Sequence, residues 1–516
     1  MDTSFEVNNP NKAPKKKRKT GCIIAVIILL LLVGLISSPF IFIYLNSLYQ
    51  DYQEEKYGGH GFDYMHGYSS TDFTGYHVYD GEKLVALDHP APFMIEAEED
   101  MPVLDGAEAC YPVYTAVAKA LYKDIDKIEK DVLDEIERIE SKDAVYYDEV
   151  WDWRFNNGKI VTFTNTVYGY DRLIAGEVDL FFGARPSEKM KSSAKYFNEQ
   201  IVSIPIGREA FVFFVEEDNP VESLTVDELR KIYSGEITNW SEVGGKNQQI
   251  IAFQRPEEAG SQVMMKYFMG DVPLMEPDKY TVVDAMGGVI ESVKQYRNER
   301  GAIGYTFQYF LTGLNQEKGV KMISIDGVYP SVEHINDGTY PATVSLVCAK
   351  LASNDKPNVQ RVIDFLLSED GQRIIEETGY GSLPKDESGK PISEPIVENE
   401  IAESVAYRLD GDSREETLFK NESVIEINYQ GKRTKFTYMF NEEDRIYYAD
   451  KVGKIDESYP FYMFEFVLNP SDKSIVIKDV HFDETIVSES DLWRNGEISK
   501  DDFPKQGDRY VVDAAE

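Results

Sequence analysis

The spacing of apolar positions divides the chain into regions with different periods. After Pro112 the apolar residues recur every three or four positions, which predicts one long amphipathic helix. These residues are Leu121, Ile125, Ile128, Val132, Ile136 and Ile139. Short apolar runs typical of β-strands follow, among them KIVTFTN, EVDLFFGA and REAFVFFVEE. Strands that alternate with helices from about 100 to 385 predict an α/β architecture with largely parallel sheets.

Local signals mark the ends of several predicted helices. The sequence TVDE at Thr225 is a capping box, Leu224 and Leu229 have the spacing of a hydrophobic staple, and Gly235 is a stop signal. A further helix is predicted through Met264. A final helix is predicted over VQRVIDFLLSEDGQRIIEETG.

The helical period disappears after about residue 400. Runs such as VIEINYQGKRTKFTYMF and YPFYMFEFVLNPSDKSIVIKDVHF alternate in polarity and turn at Gly, Asn and Pro-Ser-Asp. We predict a mostly-β domain over 403–516, joined to the preceding region by an acidic linker over 391–402.

The N-terminus carries a different signal. The segment 21–45 holds no charged residue and follows a basic tail, 1–20, that contains KKKRK. About 20 apolar residues span a bilayer as a helix, and clustered Lys and Arg stay on the cytoplasmic side. We predict an uncleaved transmembrane helix, a juxtamembrane spacer over 46–99, and a single-pass membrane protein with its bulk extracytoplasmic. A cleaved signal peptide is the alternative, but the apolar run is long and no Ala-x-Ala site follows it.

Charge and composition narrow the function. The formal net charge is −37, and the basic tail makes the remainder more acidic still. Such a body would be repelled by a phosphate backbone, so we expect no nucleic-acid partner. A small anion stays a candidate ligand, because salt screens distant charges over about 8 Å.

Cysteines, histidines and catalytic motifs indicate no cofactor or enzyme chemistry. The three cysteines form no CxxC pair, and we expect Cys110 and Cys348 to be buried thiols. Four of the six histidines lie between His60 and His89 at spacings that match no metal-ligand pattern. The chain contains no GxSxG, HExxH or GxxxxGK[ST].

One loop has the order of an anion site. In FQRPEEAGSQ, Arg255 precedes an Ala-Gly-Ser turn that opens a predicted helix. An arginine beside the N–H groups of a helix start suits a phosphate-like anion. The structural alternatives are an ion pair of Arg255 with Glu257 or Glu258, and a plain helix cap for Ser261.

The run AFVFFVEEDNPVESLTVDELRKIYSGEITNWSEVGG, followed by IIAFQRPEEAGSQ, resembles the phosphate-binding proteins of ABC importers. GAIGYTF, YPATVSLV and FLLSEDGQRIIEETGYGSLP are similar to that family's closing segments, and MPVLDGAEACYP to its opening ligand loop. The resemblance implies a two-lobed, periplasmic-binding-protein-like (type II) fold over 100–390. Lobe one would cover about 100–212 and 315–390, and lobe two about 213–314.

The resemblance also implies a ligand-binding set, with departures. Of the family's Arg-x-x-x-Ser-Gly-Thr/Ser loop, this chain keeps the arginine, the glycine and the last hydroxyl, while Ala259 replaces the serine. In the first loop, Ala107 and Glu108 stand where a hydroxyl is usual, and Arg185 stands near the family's acidic residue. The implied set is Gly106, Ala107, Thr164, Asn165, Thr166, Arg185, Arg255, Gly260 and Ser261.

Three hypotheses follow. The first is a membrane-anchored receptor, not an enzyme, that binds phosphate or a related oxyanion between its lobes and works with an ABC permease or another membrane partner. The second is the same fold with a different ligand, such as a zwitterion, bound through Glu108 or Arg185. The third is a ligand-free extracytoplasmic scaffold in which the β domain is the active part.

Overall fold

The structure is a computed structural model. Contacts along the chain divide it into two units, Met1–Gly59 and His60–Glu516, and all residues that the structure describes belong to the second. They are 71–140, 158–277, 281–282, 289–290, 293, 301–314, 319–401, 405–410, 416–420, 424–429, 432–441, 446–451, 462–469, 471–482 and 505–512. The predicted transmembrane helix, 21–45, therefore lies outside the described residues. Among the helices that are described, none has the length and apolarity needed to cross a membrane.

The described helices fall in the first part of this unit and the strands throughout. The helices are α1 (Tyr111–Leu121), α2 (Ile125–Glu140), α3 (Thr166–Ala175), α4 (Glu188–Tyr196), α5 (Val226–Ser234), α6 (Gly260–Met269), α7 (Val332–Asn336), α8 (Pro357–Leu366) and α9 (Glu369–Thr378). The strands of the α/β region are β1 (Leu104–Gly106), β2 (Leu180–Gly183), β3 (Ile201–Glu216), β4 (Ser223–Leu224), β5 (Ile251–Ala252), β6 (Ala302–Phe307), β7 (Val320–Met322), β8 (Ser324–Ile325), β9 (Thr343–Leu351) and β10 (Ile396–Val397). Those of the C-terminal region are β11 (Val405–Leu409), β12 (Glu416–Lys420), β13 (Val424–Tyr429), β14 (Lys432–Asn441), β15 (Ile446–Lys451), β16 (Tyr462–Leu468), β17 (Ile475–Phe482) and β18 (Arg509–Val512).

Strand β3 joins two halves of the α/β region. From Ile201 to Ala210 it pairs antiparallel with β9, and from Phe211 to Val215 it pairs antiparallel with β6. The two stretches also enter different hydrophobic cores: Ile204 packs with the helices α1, α8 and α9, whereas Phe213 packs with α5 and α6. A single strand thus serves two cores.

The sheet of the α/β region is mixed, whereas the sequence predicted largely parallel sheets. Pairs β1–β2 and β5–β6 are parallel, but β9 is antiparallel to both β2 and β3. The reason is that β3 and β9 run across the junction in opposite directions, which short-range sequence patterns do not encode.

Two predicted helices are each divided in two. The chain leaves the helix at Tyr122, passes through Asp124 in the left-handed region at φ 55°, and starts α2 at Ile125. The C-terminal helix ends at Leu366, and Ser368 then caps α9 by accepting a hydrogen bond from the N–H of Gly371 at 3.2 Å. The apolar residues keep the same helical spacing across both breaks, so the sequence pattern does not reveal where the helices end.

The capping box at Thr225 is confirmed. Its hydroxyl accepts the N–H of Glu228 at 3.1 Å, and the Glu228 carboxylate accepts the N–H of Thr225 at 2.8 Å. Gly235 ends the helix in the left-handed conformation at φ 80°. The prediction for the cysteines is confirmed as well, because Cys110 and Cys348 are both free and buried.

The eight strands β11–β18 close into an antiparallel barrel around an aromatic and aliphatic core that includes Phe436 and Phe464. The segment predicted as an acidic linker contributes a strand to the α/β region. Its strand β10 pairs with β3 at Val202 and Ser203, so that it satisfies backbone groups at the strand's edge.

We expect Thr225→Ala to lower the free energy of unfolding by about 1 kcal/mol, because the N–H of Glu228 loses its acceptor. Urea unfolding followed by circular dichroism measures the change. Thr225→Ser is the matched control and should retain most of the stability, since serine keeps the hydroxyl. Equal losses in both variants would contradict the capping role.

Candidate functional site

The loops at the ends of β1 and β2 lie side by side. The N–H of Ala107, just after β1, donates to the carbonyl of Phe182 in β2 at 2.8 Å, and Ala107 also forms a bridge with Thr164. The first loop, the Thr164–Thr166 loop and the end of β2 at Gly183 therefore meet at one edge of the sheet. In open α/β sheets this edge, outside the carboxyl ends of parallel strands, is where ligands bind.

Thr164 is engaged by a buried carboxylate. Asp105 is fully buried, and the Thr164 hydroxyl lies 3.1 and 3.0 Å from its two oxygens. Arg172 from α3 donates to the same carboxylate at 2.6 Å and to the Thr162 hydroxyl at 2.9 Å. A threonine hydroxyl has one proton, and Thr164 donates it in a hydrogen bond to Asp105. Sequence patterns did not single out Asp105 or Arg172 for this role.

Asn165 and Thr166 begin helix α3. The Asn165 side-chain oxygen accepts the N–H groups of Val167 at 2.9 Å and Tyr168 at 3.0 Å, which makes Asn165 the helix N-cap. Thr166 is buried, and its Oγ1 lies so close to Gly260 that a methyl group there would clash. Of the three residues in this loop, Thr166 is the one that faces the arginine loop.

The arginine loop is buried at the start of α6. Arg255 is 4% exposed, and its Nη1 donates to the Ser261 hydroxyl at 3.4 Å. Its backbone N–H donates to Gln262 Oε1 and to the Tyr305 hydroxyl, both at 3.1 Å. The N-cap of α6 is Ala259, so the alternative in which Ser261 is the cap is wrong.

The acidic residues of this loop have other contacts. Glu257 pairs with Lys266 at the surface, and Glu258 accepts a hydrogen bond from the hydroxyl of Ser187 at the start of α4. Ser187 and Thr166 belong to the half of the structure that holds β1 and β2, whereas Glu258 and Gly260 belong to the other half. The two halves therefore touch at this site.

Arg185 pairs with Glu398. Its Nε and Nη2 donate to the two oxygens of Glu398 at 2.8 Å each, and Lys191 lies 3.6 Å from the same carboxylate. Glu108 instead accepts from the Thr71 hydroxyl at 3.2 Å. Burial alone would raise the pKa of Glu398, but the hydrogen bonds from Arg185 and the charges of Arg185 and Lys191 hold this pKa below its ordinary value.

A cavity of about 30 Å³ lies at the junction of the two halves. Its lining is largely apolar, with Ala107 and Thr166 from the candidate set and one carboxyl group, that of Glu209. Glu209 was not among the residues predicted from the sequence, although an acid inside the apolar run REAFVFFVEE is a visible signal. The other lining residues are Ala109, Cys110, Gly183, Ala184, Phe307, Val344, Ser345, Leu346 and Tyr380.

No group of three or more His, Cys, Asp or Glu in the described part of the chain has an arrangement that would hold a metal ion. His60 and His66 lie outside that part.

The two halves share a crossing strand, and loops from both meet beside a buried arginine. This arrangement defines a two-lobed solute-binding fold. The family described as "PBP superfamily domain" matches residues 107–370, more than half of the chain. The chain belongs to this superfamily, as the resemblance predicted.

Curated relatives point to the same family. The phosphate-binding protein PstS of Borreliella burgdorferi is 29% identical over 178 residues, 33% of this chain and 62% of the relative. The phosphate-binding protein PstS of Bacillus subtilis is 33% identical over 172 residues, 32% of this chain and 52% of the relative. The chain thus spans less than two thirds of the length of these two relatives. An ABC-type phosphate transport receptor from Vibrio cholerae has a TM-score of 0.36 at 22% identity, covering 55% of this chain and 100% of that chain.

We expect Glu398→Gln to lower the free energy of unfolding near neutral pH by about 1–3 kcal/mol, because Arg185 loses a charged, bidentate partner. The pKa of Glu398 is lower in the folded protein than its ordinary value of 4.5. The ionised pair therefore stabilises above the unfolded-state pKa, and this stability is lost as the pH falls through the folded-state pKa.

Urea unfolding from pH 3 to 7 tests this, with the exposed Glu394→Gln on the same segment as the control. The difference between wild type and Glu398→Gln should shrink below about pH 4.5. A difference that is independent of pH would contradict the ion-pair assignment.

We expect Gly260→Ala to destabilise the contact between the two halves, because the added methyl group clashes with Thr166 Oγ1. Thr166→Ala removes that oxygen, so the double variant should be less destabilised than the sum of the single variants, with a coupling of about 0.5–3 kcal/mol. Chemical unfolding measures the cycle. The combination of Gly260→Ala with the remote Thr225→Ala should be additive, and additivity in both cycles would show that the contact does not form in solution.

Proposed function

We propose that this protein is an extracytoplasmic receptor that binds phosphate or a related oxyanion between its two lobes. The observation that carries the proposal is the arginine loop: Arg255 is buried beside Ser261 at the N-terminus of α6, and Gly260 of the same loop lies against Thr166. The first N–H groups of a helix have no partner inside the helix and carry a partial positive charge. A guanidinium beside such a terminus suits a tetrahedral oxyanion.

Lobe one contributes in the same way as the arginine loop of lobe two. Thr166 is the first residue of α3, and its buried hydroxyl faces the arginine loop across the junction. A ligand held there would meet helix starts from both lobes. The names of the curated relatives, which are phosphate-binding proteins, support phosphate as the first ligand to test and agree with a receptor rather than an enzyme.

The ligand set of Arg255, Gly260, Ser261 and Thr166 forms the centre of this proposal. The first loop is positioned by Gly106 and Ala107, and helix α3 is capped by Asn165. Thr164 supports the site through Asp105, and Arg185 secures the segment that carries Glu398.

Membrane attachment is part of the proposal and is supported by the sequence of 21–45 and the basic tail before it. The solute-binding domain would then span 100–390 behind a spacer over 46–99, with the β-rich domain over 403–516. An ABC permease or another membrane protein would be its partner.

A different ligand is the second candidate, and the first loop favours it. Ala107 and Ala259 supply no hydroxyl, and Thr164 donates to Asp105. Each missing hydrogen bond to a charged ligand is worth about 1.5–3 kcal/mol, so phosphate affinity would be lower than in a site with every hydroxyl present. A panel of anions and zwitterions separates the two candidates.

Phosphate at 100 times its Kd should raise the free energy of unfolding of the purified full-length protein by about 2.7 kcal/mol. Thermal unfolding with phosphate, sulfate and amino acids measures this. Arg255→Ala should abolish the phosphate shift, while Arg408→Ala, an exposed arginine on β11, should retain it. Absence of a shift in the wild type at millimolar phosphate would refute the proposal, and a shift retained by Arg255→Ala would refute the site.

A further inference from the structure

Glu209 occupies the point where strand β3 changes partners. It pairs with Val344 in β9, and two residues later Phe211 pairs with Phe307 in β6. This is the junction between the two lobes, and Glu209 is only 3% exposed there. A carboxyl group buried on a strand that both cores share needs a physical reason, because the transfer of an ionised carboxylate out of water is strongly unfavourable.

The contacts of the carboxyl group leave one oxygen for the cavity. Oε1 accepts the N–H of Ala210 at 2.8 Å, whereas Oε2 is buried and has no hydrogen-bond partner among the described residues. Glu209 lines the 30 Å³ cavity together with Ala107 and Thr166, two residues of the candidate ligand set. The neighbouring Arg208 donates to the carbonyl of Ile335 instead.

Among the residues that the structure describes, the titratable groups that face Glu209 do not supply a positive charge. They are the thiol of Cys110 and the phenols of Tyr309 and Tyr380, and burial raises the pKa of all three. Burial also raises the pKa of Glu209 to about 8, against the opposing effect of the N–H groups of Ala210, Tyr309 and Gln308. Near neutral pH the carboxyl group is therefore protonated and can donate a hydrogen bond.

A protonated carboxyl group has one strong donor, and a buried donor without an acceptor is unfavourable by about 1–3 kcal/mol. An oxyanion in the cavity offers such an acceptor. The ionised form of Glu209 would instead place a negative charge beside the ligand and repel it. The same residue thus favours the anion in one protonation state and opposes it in the other.

We propose that Glu209 is a ligand-binding residue of the cleft, whose neutral carboxyl group donates a hydrogen bond from Oε2 to an oxygen of the bound oxyanion. It replaces part of the hydroxyl set that Ala107 and Ala259 lack. This inference rests on the proposed function, because it concerns the same oxyanion site, and it makes binding depend on a group that titrates on the protein.

The test compares phosphate affinity in the full-length wild type and in Glu209→Gln by calorimetry from pH 6 to 9.5. Glutamine keeps the shape and a hydrogen-bond donor but does not ionise. The protonation of phosphate itself affects both affinities equally, because both proteins bind the same ligand, and its effect cancels in their ratio. With a pKa of about 8 for Glu209, the wild-type affinity should fall roughly 30-fold relative to the variant across this range.

Glu216→Gln is the matched control. Glu216 ends the same strand, and burial raises its pKa too, but it does not line the cavity. Its affinity ratio to the wild type should stay constant with pH.

A second measurement keeps the inference testable if Glu209→Gln does not fold. Phosphate binding to the wild type near pH 8.5, measured in buffers of different ionisation enthalpy, should be accompanied by uptake of a large fraction of one proton. A constant wild-type to Glu209→Gln ratio, or binding without proton uptake, would overturn the role of Glu209 and leave the phosphate site intact. A wild type that binds no phosphate at any pH would overturn both proposals.

Discussion

The change of pairing partner along β3 is the constraint on which the α/β region depends. Up to Ala210 the strand pairs with β9, and from Phe211 it pairs with β6. Ile204 and Ile206 pack in the first lobe's core, whereas Ala210 and most residues after it pack in the second. A strand in a sheet satisfies its backbone groups only through a neighbour on each edge. The two lobes are consequently tied together by continuous backbone pairing, and their loops meet at a place that this pairing defines.

Buried polar groups organise the loops around that junction. The Asp105 carboxylate accepts hydrogen bonds from Thr164 and Arg172. The backbone N–H of Arg255 donates to Gln262 and to the Tyr305 hydroxyl. Such groups are tolerated inside a protein only when they are hydrogen-bonded, so each one specifies the conformation of the loop it anchors. Glu209 differs from them because only one of its oxygens is hydrogen-bonded among the described residues. That difference is the physical basis for assigning it to the ligand.

The first lobe is also held at its outer edge. The segment after the solute-binding region adds β10 to β3 and places Glu398 against Arg185 and Lys191. An arginine that the family resemblance placed near the ligand thereby has a structural role. The Glu108 carboxylate accepts a hydrogen bond from the hydroxyl of Thr71. On the side of the cleft that faces Thr166, the loop that brings Gly260 against it also carries the buried Arg255.

Features determined over a few residues could be predicted from the sequence. The capping box at Thr225, the helix that follows Arg255 and the two buried cysteines were correctly predicted, because caps, turns and apolar periods act locally. The superfamily was recognisable from several ordered segments. The tertiary structure alone decided which polar groups pair: Thr164 with Asp105, 59 residues apart, and Arg185 with Glu398, 213 residues apart. It alone placed Glu209 in the cavity, because strand register and burial set the partners and the pKa of a side chain, and neither is encoded in the spacing of nearby residues.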